Sequence, residues 1–87
     1  MIRYTVLWSE KAEEDLAMIW LEAPRRDDIA RATDHLDADL QIDAHRKGVM
    51  QPNNLRAVSR ASVTLFFRVD EADRKVFVDA VRLTESN

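Results

Sequence analysis

The chain has no cysteine. This excludes disulfides and thiolate metal sites and leaves no sign of an oxidising compartment. No apolar run approaches the roughly 18 to 20 residues that a membrane span requires. The N-terminus enters an alternating pattern at once, without the layout of a signal peptide. No repeat, low-complexity tract or linker interrupts the 87 residues. The expectation is one soluble, cytoplasmic domain over residues 1–87, built on a single core, without a cofactor and without contact with a membrane.

Acid is missing from one long stretch. Between Asp43 and Asp70 no carboxylate occurs, while Arg46, Lys47, Arg56, Arg60 and Arg68 all fall inside that window. The net charge of −3 hides this division. Residues 1–44 hold 5 Lys/Arg against 11 Asp/Glu, and residues 45–87 hold 8 against 5. Two readings are open. The window is a binding surface for a nucleic acid or an acidic partner segment, or it balances the acidic helices of the same domain.

What is present alternates or repeats with clear periods. In "IRYTVLW", Ile2, Tyr4, Val6 and Trp8 share one face of a strand, with Arg3, Thr5 and Leu7 on the other. Ser9 is placed to cap a helix whose first turns carry Glu10, Glu13 and Glu14. Its inward stripe is Ala12, Leu16, Ile19, Trp20 and Ala23, and Pro24 ends it. Asp27 or Asp28 caps a second helix with the stripe Ile29, Thr33, Leu36, Leu40 and Ala44, closed by His45, Arg46, Lys47 and Gly48. So short a connector makes the two helices an antiparallel hairpin. "VMQPNN" reads as a loop, "LRAVS" as a short strand, and "SVTLFFRV" and "KVFVDAVRL" as a β-hairpin turning through "DEADR". The fold class is α+β: a small, antiparallel-dominated sheet in the order β-α-α-β-β-β, with the N-terminal helical hairpin packed on one face.

The strands of the hairpin carry arginines where apolar residues would be safer. Arg68 alternates with the inward Val63, Leu65, Phe67 and Val69, and Arg82 and Arg56 lie on the strands to either side. Convergence of Arg56, Arg68 and Arg82 on the open face would suit phosphate, because the guanidinium fork donates in pairs and stays charged. Alternatively, Arg68 pairs with Asp79 across the hairpin as an ordinary ion pair.

Other constellations carry less. Asp34, His35 and Asp39 have no third ligand in register for a metal, so no metal site is assigned. His45 reads as a helix-end residue before it reads as a general base. Trp8 and Trp20 read as packing anchors. Nothing positions a base to activate Ser59 or Ser62.

Together these features resemble the toxins of type II toxin–antitoxin modules, the RelE/ParE superfamily of plasmid-stabilisation-like bacterial proteins. The resemblance rests on the element order, on Trp8, Ser9, Ala12, Asp15 and Leu16, on Leu40, Asp43 and Gly48, and on "LFFRVDEADRKVFV". It implies a growth-inhibiting toxin neutralised by a cognate antitoxin, whose disordered tail folds onto it as a helix or strand. Homodimers and toxin–antitoxin hetero-oligomers are both compatible with it. The RelE-like branch is implied to cleave mRNA on the ribosome, with Arg56, Arg68 and Arg82 at matching catalytic positions. Arg46, Lys47, Arg56, Arg60 and Arg68 would bind nucleic acid or antitoxin. The ParE-like branch poisons DNA gyrase. RelE-like nucleases commonly carry Tyr or His near the C-terminus, and this chain ends "RLTESN". The reading therefore favours a gyrase-directed or diverged toxin. An mRNA endoribonuclease and an inactive relic or interaction domain are the alternatives.

Overall fold

The computed structural model describes residues 1–83. The chain runs β1 (Thr5–Trp8), α1 (Glu10–Glu22), α2 (Arg26–Leu40), a 3-10 turn (Ala44–Arg46), β2 (Val49–Met50), β3 (Arg56–Arg60), β4 (Val63–Asp70) and β5 (Lys75–Leu83). The five strands form one sheet in the order β1-β5-β4-β3-β2. β1 is parallel to β5 and every other pair is antiparallel. This is the expected α+β architecture. One strand was missed: Val49 and Met50 pair with Ala57 and Arg56 rather than forming a loop.

The alternation of β1 does what its pattern requires. Tyr4 is buried and Val6 and Trp8 are half-buried on the helix side, while Thr5 and Leu7 face away. The same side of β4 and β5 supplies Val63, Leu65, Phe67, Val76 and Val78, all fully buried. Ala12 of α1 and Ile29, Leu36 and Leu40 of α2 close over them. Each such aliphatic or aromatic burial is worth about 1.5–3 kcal/mol. Trp20 departs from its expected inward role. It sits at the margin of the α1 stripe, 38% exposed, because the inward sector is filled by Ala12, Leu16, Ile19 and Ala23.

The corner between β1 and α1 explains several motif residues at once. β1 pairs with β5 only as far as Val78, so the rest of that β5 edge needs other partners. The Ser9 N–H donates to the Val78 carbonyl at 3.0 Å, and its hydroxyl donates to the Asp79 carbonyl at 3.2 Å. Ser9 Oγ also accepts the Ala12 N–H at 3.0 Å, which is the expected N-cap. The Val81 N–H donates to the Asp15 carboxylate at 3.1 Å. Helix α1 thus takes over the sheet edge where β1 stops.

Two helix boundaries differ from expectation. α2 begins after Arg25 with no side-chain cap, and Asp27 and Asp28 lie inside its first turn. The same helix ends at Leu40 instead of running through Lys47. The cause is long-range: the Tyr4 N–H donates to the Gln41 carbonyl and the Asp43 N–H to the Ile2 carbonyl, at 2.8 and 2.7 Å. Asp43 takes a left-handed backbone, φ 52°, and its carboxylate accepts the Ile2 N–H at 2.7 Å. His45 and Arg46 consequently belong to a separate 3-10 turn. No described helix is long and apolar enough to cross a membrane.

Candidate functional site

Strand β5 does not keep a uniform pleat. Its pairing with β4 steps from Phe66↔Ala80 to Phe67↔Val78, leaving Asp79 as an extra residue in a β-bulge. Beyond the bulge the faces exchange. Val81 joins the buried side with Leu65, while Ala80 and Arg82 turn to the open face beside Phe66 and Thr64. Strict alternation would have put Arg82 on the face of Val76 and Val78.

Arg68 and Arg82 therefore share the open face, each over an aromatic ring. The Arg82 guanidinium lies 5.7 Å from the Phe66 centroid and the Arg68 guanidinium 5.8 Å from that of Phe77. They stand four paired rows apart, Arg82 level with Thr64 and Arg68 level with Phe77. Arg68 is also paired: its Nε donates to Asp79 Oδ2 at 3.0 Å. The cross-strand ion pair is formed, and simple alternation from Phe77 puts Asp79 on the face of Arg68.

Arg56 does not join them. It pairs with Phe67 and lies on the helix side of the sheet, where its Nη1 donates to the carbonyls of His45 and Lys47 at 2.8 and 3.2 Å. It ties the 3-10 turn to β3. Lys47 donates through Nζ to the Asp39 carbonyl at the end of α2. The side chains of Arg46 and Arg60 are exposed and make no hydrogen bond or ion pair among the described residues. Arg56 and Arg68 meet only around the end of the sheet, at an open cleft of about 380 Å³ lined also by Met50, Asn54, Asp70 and Phe77. The expected three-arginine cluster is thus divided, with Arg82 at the far end of the sheet.

One pair escaped notice in the sequence. The buried Tyr4 hydroxyl lies 3.0 Å from His45 Nδ1, with ring centroids 5.9 Å apart. Tyr4 was readable as inward; its partner depended on where α2 ended. Beside it, the Ile2 N–H holds the Asp43 carboxyl below the usual carboxylate range against the opposing effect of desolvation, helped by the N-terminal amine, His45 and Arg46. At the opposite corner, burial pushes the Asp15 carboxyl up. The Lys11 and Val81 hydrogen bonds, with the charges of Lys11 and Arg82, outweigh it and leave that carboxyl lowered.

Chemically, the open face offers fixed cations over aromatic rings. The cleft between Arg56 and Arg68 is lined by no His or Tyr that could move a proton at neutral pH.

No protein-family model matches the chain, and no curated protein matches it. Solved structures do. The toxin–antitoxin complex RelBE2 from Mycobacterium tuberculosis superposes with a TM-score of 0.76 at 22% identity, covering 99% of this chain and 97% of that one. The chromosomal ParDE system of P. aeruginosa gives 0.69 at 17% identity, over 95% and 98%. The isolated E. coli RelE toxin gives 0.59 at 16% identity, over 97% and 87%. The fold is that of the RelE/ParE toxins. Within the RelE/ParE fold of this chain, Ser9, Ala12 and Asp15 close the edge of β5. Those motif residues are accounted for by structure alone.

Proposed function

We propose that the chain is the toxin of a toxin–antitoxin module, held inactive by a cognate antitoxin, and that it acts on gyrase or a diverged target. The observation that carries this reading is the near full-length correspondence with the isolated E. coli RelE toxin and with the RelBE2 and ParDE systems. The choice against RNA cleavage rests on the arginines. Arg68 is engaged with Asp79, Arg56 is spent on two backbone carbonyls, and Arg82 stands apart. A transition state with extra charge on phosphorus needs cations converging on one point and a group to carry the proton.

Inducible expression in a bacterial host tests the reading. Growth should stop on induction and resume when the neighbouring antitoxin gene is co-expressed. Continued growth with folded protein accumulating would count against a toxin.

A further inference from the structure

Past the end of α2 the chain fixes a turn too short to stand by itself. Within the 3-10 turn, the Arg46 N–H donates to the Asp43 carbonyl at 2.9 Å and the Lys47 N–H to the Ala44 carbonyl at 3.0 Å. Contacts from outside must therefore set its position. Ala44 is fully buried beneath it. The half-buried His45 ring meets Tyr4. Arg56 donates to the carbonyls of His45 and Lys47.

Of these contacts, the one between Tyr4 and His45 depends on a proton. Tyr4 is buried, and its hydroxyl has no second partner among the described residues. The phenolic hydrogen is satisfied only if it is donated to Nδ1, which assigns a neutral ring with its own hydrogen on Nε2. An imidazolium carries hydrogen on both nitrogens and accepts nothing. The bond must then break or reverse, and either way the phenolic hydrogen is left without an acceptor. The surrounding charges do not repair this. Arg46 and Lys47 follow His45 in the chain, Arg56 approaches from β3, and the N-terminal amine lies near Asp43. Asp43 attracts an imidazolium, but its carboxylate accepts the Ile2 N–H. A ring drawn towards Asp43 gives up Tyr4.

We propose that the 3-10 turn is a pH-sensitive latch: protonation of His45 parts it from Tyr4, loosens residues 44–47 and releases the carbonyls that occupy Arg56. Arg56 also lines the cleft it shares with Arg68. Acid thus turns a structural cation into one available to an anion in that cleft. The device stands independently of the toxin reading.

NMR on the isotope-labelled full chain tests it between about pH 8 and about pH 5, the range in which imidazole takes up a proton. Across that range the protection factors of the Arg46 and Lys47 amides should fall at least about fivefold, while those of Leu65 and Val78 in the sheet hold. The Arg56 Nε signal should move with the His45 ring signals. His45→Asn, whose amide oxygen can accept in place of Nδ1 and does not titrate, should hold the turn and the Arg56 signal constant. Tyr4→Phe keeps the buried ring but offers Nδ1 no donor, so protection in the turn should be low already at the upper pH and change little with acid. Undiminished protection at the lower pH, an Arg56 signal that ignores the His45 titration, or an acid response retained in either variant would each overturn the proposal.

Discussion

Arg68 and Asp79 face each other across the β4–β5 hairpin, Nε to Oδ2 at 3.0 Å and Nη2 to Oδ1 at 3.4 Å. Arg68 stands opposite Phe77, and Asp79 lies two residues further along β5 on the same face. It withdraws from the open face a cation that would otherwise meet a phosphate. Asp79→Ala should release Arg68 at little cost in stability, under about 1 kcal/mol for so exposed a pair. Polyanion binding should then tighten and its salt dependence steepen by about one unit of log–log slope, measured by fluorescence titration with single-stranded RNA. An unchanged slope would mean that Arg68 does not face the polyanion.

Asp15 ties α1 to the β5 edge, and its removal should be felt in stability. Asp15→Ala strands the Val81 N–H and should cost about 1–3 kcal/mol in urea unfolding with an unchanged slope. Asp15→Asn, whose amide oxygen can still accept that N–H, should cost less.

The same carboxylate gives an acid dependence. Asp15 and Asp43 are both lowered in the folded chain. Their contribution is therefore complete above the ordinary carboxylate value of about 3.9 and is lost as pH falls through the depressed values below it. Unfolding followed from pH 6 down to pH 2 should show this loss. It should be smaller in Asp15→Asn.

Gly48, the single glycine of the chain, is required twice over. Its φ is +80°, and a Cβ there would lie 2.9 Å from Phe67 Cζ and 3.1 Å from the Ala57 carbonyl oxygen. Phe67 is fully buried and has no room to yield. Gly48→Ala should cost about 2 kcal/mol or more, from backbone strain and overpacking together. Ala61 is the reverse case. It turns the β3–β4 hairpin at φ 54°, so Ala61→Gly should stabilise by about 0.5–1 kcal/mol. Urea midpoints check both.

The sequence made the strands, the Ser9 cap and the α2 stripe legible because each is a local pattern repeated over several residues. What it hid depends on distant partners. α2 stops at Leu40 because Ile2 and Tyr4 pair with residues 41–43, forty positions away in the chain. Arg82 reaches the open face only because Asp79 bulges, and a period of two carries no sign of one extra residue. Arg56 looked like an exposed cation, yet two carbonyls of the 3-10 turn hold it. The Arg68–Asp79 pair was readable as one of two options, since the hairpin register follows from its turn.

The central claim is a toxin of this fold that acts without cutting RNA. The most direct measurement is gyrase-catalysed supercoiling of relaxed plasmid DNA with increasing purified protein, run beside ribosomes translating a labelled mRNA. Loss of supercoiling with the mRNA intact is the expected result. Normal supercoiling with the mRNA cleaved in the ribosome would contradict the account and return Arg56, Arg68 and Arg82 to a catalytic role.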